Sequence, residues 1–134
     1  MPRRMLLWMI LLMTVVACAM PGGNTLANTQ WQLLSMNDQT PPDGIIVNLA
    51  FTQDTFGGVG FCNNYGGNYR VSGDTLTMDQ MTMTMMACIG DNRDQLEQQY
   101  VTVLQQVTTY ARDENELRLL DGANRVVLRF VPLN

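Results

Sequence analysis

Cys62 lies in the stretch GFCNNYGGNY, Gly60–Tyr69, and Cys88 ends the stretch MTMTMMAC, Met81–Cys88. A thiol can act as nucleophile, metal ligand or half of a crosslink, and the remaining composition narrows that choice. The chain has no histidine, and all eight of its basic residues are arginine. A catalytic thiolate would therefore lack the imidazole or ammonium group that usually depresses its pKa. Ser-His-Asp and Cys-His machinery, histidine-ligated zinc, Schiff-base chemistry and a P-loop are excluded on the same ground.

Three further groups carry possible chemistry. Met81, Met83 and Met85 alternate, which would set three thioethers on one face of a strand about 6.8 Å apart. That spacing suits a soft ion such as Cu(I), although methionines on one face also fill core gaps. With no histidine or free cysteine to complete a ligand shell, core filling is the expectation, and no metal or cofactor is expected. Asp91, Asp94 and Glu97 could pair carboxylates for glycosidic work or hold calcium, but a helix start explains all three. Asn63, Asn64, Tyr65 and Tyr69 form a candidate binding loop rich in amides and phenols. Its backbone reading is a turn, in which Gly66 and Gly67 take positive φ and the asparagines tolerate it.

The N-terminus reads as an address. Arg3 and Arg4 precede the 12-residue apolar run Met5–Val16, too short for a comfortable membrane span, which needs roughly 20 residues. VVAC, Val15–Cys18, resembles the lipobox of bacterial lipoproteins, which implies lipidation of Cys18 and removal of residues 1–17. Ala19 is not the aspartate that holds many lipoproteins at the inner membrane, so the resemblance implies an outer-membrane anchor facing the periplasm. Residues 18–28, the lipidated cysteine and AMPGGNTLAN, read as a flexible tether, and 29–134 as one domain.

Without the signal, six arginines face twelve acids. An acidic chain with no basic cluster is a poor nucleic-acid ligand and a poor adherent to anionic lipid, so membrane contact is expected through acyl chains alone.

The elements that would position these groups are short. Short segments broken by turn clusters predict strands over Thr29–Met36, Ile45–Thr52, a Gly-interrupted and bent Phe56–Phe61, Tyr69–Val71 and Thr75–Met78 around a hairpin turn at Ser72–Asp74, and Met81–Cys88. Later strands are predicted over Thr108–Arg112, Glu116–Leu120 and Arg125–Val131, the last two joined by a tight hairpin at Asp121–Asn124. One segment has helical spacing, Asp94–Val107, with Leu96, Tyr100, Val103, Leu104 and Val107 on one stripe and Asp94 with Glu97 as a capping box. Hairpin-length connections favour antiparallel pairing. The expected fold is α+β: a mostly antiparallel curved β-sheet of about seven or eight short strands packed around one amphipathic helix.

Assigning Cys18 to the lipid leaves an even pair in a disulfide-permissive compartment. A Cys62–Cys88 bridge is expected. It would close a loop of 25 intervening residues and contribute about 3–4 kcal/mol in the chain-entropy model. Two buried free thiols are the alternative in a reducing compartment.

Trp31 and Leu33, then Gly58 or Gly60, Cys62, Asn63, Tyr65, Gly67 and Tyr69, then Thr84, Met86, Ala87 and Cys88, together resemble the META domain family of HslJ-like heat-shock lipoproteins. Phe61 departs from the small residue common before the cysteine. The resemblance implies an envelope location and an association with stress, with no established enzymatic activity. The expected function is a non-catalytic binding or assembly-support module engaging an envelope protein or small ligand. A protease-inhibitor domain inserting Asn37–Gly44 or Asn63–Asn68 is the alternative from another class.

Overall fold

Eight strands and one helix follow one another in a computed structural model that describes residues 23–133. They are β1 (Thr29–Met36), β2 (Asn48–Phe51), β3 (Thr55–Val59), β4 (Asn64–Ser72), β5 (Thr75–Met83), α1 (Arg93–Gln106), β6 (Val107–Arg112), β7 (Leu117–Asp121) and β8 (Val126–Pro132). The expected signal segment, Cys18 and the first part of the tether lie outside the described residues.

Each strand pairs antiparallel with its neighbours in sequence, and β1 pairs with β8 through Trp31↔Pro132, Leu33↔Phe130 and Met36↔Leu128. The sheet is therefore a closed barrel, not the open curved sheet around a helix that the sequence suggested. The reason is one of area. A 14-residue helix cannot cover the apolar face of eight strands, whereas rolling the sheet buries that face on itself and removes both edges. Trp31, Leu33, Leu49, Phe51, Tyr65, Tyr69, Leu117, Leu119 and Phe130 all join one buried core. Gln30, Gln32, Arg70, Thr77, Arg118 and Arg129 alternate with such residues and are half-buried or exposed. An apolar interior and polar exterior reverse the pattern of a lipid-spanning barrel. Among the described residues no helix is long and apolar enough to cross a membrane.

The two mouths are closed differently. At the near mouth the chain enters through Asn24–Asn28, part of the segment expected to be tether. Asn24 Nδ2 donates to the Tyr69 hydroxyl (2.8 Å) and to Gln53 O (3.3 Å). Leu26 is completely buried, so the folded domain starts before residue 29. The Arg112 guanidinium lies 5.3 Å from the Trp31 ring centroid at this end and donates to Thr25 O. At the far mouth α1 runs from beside the Gly60–Asn63 turn to the turns holding Asn37 and Asp121, next to Gln106. Tyr100, Val103 and Leu104 point inward from it, as their spacing predicts, and Leu96 packs against the same core.

Gly66 and Gly67 are not in a turn: β4 begins at Asn64, and neither glycine has a positive φ. Glycine is needed at 67 for close approach, since a Cβ there would meet Asp79 O at 2.5 Å and the Phe56 ring at 2.9 Å. Opposite it, β5 carries an extra residue, with Gln80 at φ 51°, a bulge that shifts the register. The barrel also has a thin seam. β5 and β6 share the single pair Thr75↔Thr109, because the chain leaves β5 for α1 and returns only at the start of β6.

Candidate functional site

The far mouth gathers the residues that carry the sequence motif. Cys62 and Cys88 are joined in a disulfide with Cα atoms 5.9 Å apart, tying the turn after β3 to the segment between β5 and α1. Beside it the Glu97 carboxylate, 3% exposed, accepts from Asn63 N–H (2.7 Å), Asn63 Nδ2 (2.7 Å) and Cys62 N–H (3.2 Å). Asn63 in turn accepts at Oδ1 from Met86 N–H (2.6 Å) and the Thr84 hydroxyl (3.1 Å), while its Nδ2 also donates to Met86 O (3.2 Å). One asparagine thus fastens three segments, and its amide orientation is set by two donors on one side and two acceptors on the other. Gly60 makes room: a Cβ there would lie 2.6 Å from Glu97 Oε1.

Glu97 is not half of a capping box. The residue before the helix is Asn92, at φ 52°, with no side-chain cap, and Asp94 Oδ1 accepts from Cys88 N–H at 3.3 Å. The signal for the inward glutamate was present in the sequence. Positions 97, 100 and 104 fall at i, i+3 and i+7, which puts Glu97 on the same face as Tyr100 and Leu104.

The residues expected to form a binding loop belong largely to the barrel wall and interior. Asn63 and the two tyrosines are buried, and only Asn64 is exposed. The Tyr65 hydroxyl donates to Asn48 O (2.7 Å) and, having one proton, accepts from the Tyr100 hydroxyl (2.7 Å). The two rings meet edge to face at 5.4 Å, and Phe61 packs on Tyr100 at 6.0 Å. Burial pushes both hydroxyls well above the ordinary phenol range. Tyr69, at the other mouth, donates to Thr52 O (2.6 Å) and is also raised, chiefly by burial. Since Asn64–Asn68 is strand, a protease-inserting loop is confined to Asn37–Gly44, an exposed turn.

The methionines do not share one strand face. β5 ends at Met83, with Met81 and Met83 packed against the core, whereas Met85 lies beyond the strand and is 90% exposed. Sulfur atoms of Cys62 and Cys88 and an oxygen of Asp94 lie within 4.8 Å of one another, but sulfurs joined to each other offer no thiolate to a metal.

What the far mouth presents outward is a groove of about 290 Å³ between the chain after β5 and the first turns of α1, lined by Met83, Met85, Met86, Asp94, Glu97 and Gln98. Met86 borders it, largely exposed, and Ile89, fully exposed, follows in the same chain segment. Leu34 in the last half of β1, Ile46 just before β2 and Val59 at the end of β3 are the other exposed large apolar residues among those described. All six lie toward the mouth covered by α1, the end opposite Asn24. The sequence did not show this gathering, because the six come from four separate segments.

Comparison with known proteins agrees with this architecture. The META domain family matches residues 24–132. No curated protein matches the chain. An NMR structure of a protein from Burkholderia xenovorans is 23% identical with a TM-score of 0.66, covering 81% of this chain and 84% of that one. A second NMR structure is 21% identical with a TM-score of 0.64, covering 80% and 91%. A crystal structure of a DUF4847 family protein from Bacteroides vulgatus is 16% identical with a TM-score of 0.57, covering 80% and 94%. At these identities the likeness is one of fold. The family match spans the whole barrel, from the buried entry segment to the last strand, and the chain belongs to the META domain family.

Proposed function

We propose that this META domain is a non-catalytic binding or assembly-support module of the cell envelope, anchored through a lipidated Cys18 at the outer membrane, facing the periplasm and linked to envelope stress. One observation carries the binding reading. The buried polar side chains of the far mouth, Asn63, Glu97, Tyr65 and Tyr100, are engaged with one another, while the six exposed large apolar side chains among the described residues lie toward that mouth. Apolar surface concentrated at one end of an otherwise polar exterior marks an interaction site. A tether entering at Asn24 would leave that end turned away from the bilayer.

The test places a photo-crosslinking amino acid at position 85, 86 or 89 in living cells, with position 77, on the polar barrel wall, as control. A discrete adduct at the far mouth and none at 77 supports the reading, and no adduct at any of the three rejects it. Palmitate labelling that persists in Cys18→Ser would reject the anchor separately.

A further inference from the structure

We propose that the groove beside α1 takes an extended peptide segment of another protein, added as a strand to the free edge that continues from β5; this rests on the binding reading above and names its partner class. Hydrogen-bond direction identifies the edge. Thr84 N–H donates to Asn64 O (3.0 Å) and Met86 N–H to Asn63 Oδ1 (2.6 Å), so both residues turn their backbone groups toward β4. Alternation along extended chain turns the N–H and C=O of Met83 and Met85 the other way, into the groove. Among the described residues no strand answers them there, since β6 pairs with β5 only at Thr75. The bulge at Gln80 interrupts the edge before this point, which leaves Met83–Met85, the end of β5 and the two residues after it, as the stretch open to pairing.

The occupant follows from the chemistry of the walls. An acyl chain cannot satisfy amide and carbonyl groups at an edge, whereas an extended backbone supplies both. Met85 and Met86 offer adaptable apolar contact to alternate side chains of that strand. Asp94 lines the groove and Asp91 is exposed just before α1, and they favour an arginine or lysine on the incoming segment. They also disfavour a second copy of this chain, because edge pairing about a two-fold axis would bring acidic α1 ends toward each other.

The experiment titrates the oxidised domain, residues 18–134, with a short peptide of alternating valine and threonine bearing an arginine at each end, followed by amide NMR. Shifts centred on Met83, Met85 and the first turns of α1 are expected. The same peptide N-methylated at alternate amides should bind about tenfold more weakly or worse, as loss of two backbone hydrogen bonds implies. Met85→Pro, which removes a donor from an exposed position, should weaken the unmethylated peptide similarly. Equal binding of the methylated peptide, shifts elsewhere on the barrel, or a dimer formed through β5 in ultracentrifugation would overturn the proposal. Crosslinks from position 85, 86 or 89 to a partner that does not protect the Met83 and Met85 amides would sink the strand-addition inference and leave the binding reading standing. Absence of any crosslinked partner would remove both.

Discussion

Replacing Glu97 tests whether the far mouth is held by one buried carboxylate. Glu97→Ala leaves Asn63 N–H, Asn63 Nδ2 and Cys62 N–H without their acceptor. Asn63 cannot compensate by flipping its amide, because Oδ1 already takes the Met86 N–H and the Thr84 hydroxyl. Stranding a buried donor costs about 1–3 kcal/mol. The Cys62 contact is longer and half-buried, and water entering from the groove relieves part of the loss, so about 3–5 kcal/mol in total is expected. That is a large share of the roughly 5–15 kcal/mol that stabilises a typical domain. Glu97→Gln keeps one acceptor oxygen but sets an NH₂ against Asn63 Nδ2, and should cost about 2 kcal/mol. The assay is urea unfolding of the disulfide-intact domain, followed by Trp31 fluorescence, with a double-mutant cycle to Asn63→Ala. The two sites should couple, since both changes remove the Asn63 Nδ2–Glu97 contact, while the backbone N–H groups of Asn63 and Cys62 keep their acceptor in Asn63→Ala. A Glu97→Ala domain within about 1 kcal/mol of the parent, or additive losses, would refute the reasoning.

Gly67→Ala should destabilise by about 1–3 kcal/mol, because the new Cβ meets backbone oxygen as well as the Phe56 ring; an unchanged urea midpoint would refute the close-approach argument. Cys62→Ser with Cys88→Ser should lower stability by about 3 kcal/mol while leaving the far-ultraviolet spectrum native, as thermal melts would show. Asp121 accepts from Arg125 and Ala123 N–H and from the Arg125 guanidinium, which holds its carboxyl below the usual range. Its contribution is therefore present above the unfolded carboxylate pKa and lost as pH falls through the lower folded value, so Asp121→Asn should flatten the acid limb of stability against pH. The raised hydroxyls of Tyr65 and Tyr100 work in the opposite sense: their contribution is complete below pH of about 10 and fades above it. Phenolate absorbance from Tyr65 and Tyr100 should rise only with alkaline unfolding, and native-state ionisation near pH of about 10 would contradict the buried pair.

Local pattern was legible in the sequence and long-range pairing was not. β1 spans the residues its alternation predicts, and α1 is displaced by one residue from the apolar stripe that announced it. The turn residues at Ser72–Asp74 and Asp121–Asn124 mark real hairpins. Closure was hidden, because nothing in Thr29–Met36 alone specifies that its second partner is Val126–Pro132. The Gly-Asn run misled for a related reason: glycine serves both tight turns and crowded strands, and only the packing of Phe56 and Asp79 against Gly67 decides between them. The Cys62–Cys88 pair followed from counting cysteines. The Glu97 hub required knowing that the first turns of the helix face Asn63.

Pairing of the first strand with the last also imposes an order of assembly. Hairpins within β1–β5 and within β6–β8 can zip locally as the polypeptide emerges, but β1 acquires its second neighbour only when Trp31 meets Pro132 and Leu133 N–H reaches Gln30 O. Ring closure is thus the single step with near-maximal sequence separation, and it should set the folding rate through loop entropy. Until it occurs, two sticky strand borders stay bare, so a ribosome or translocon stalled just before β8 would release a species prone to self-association.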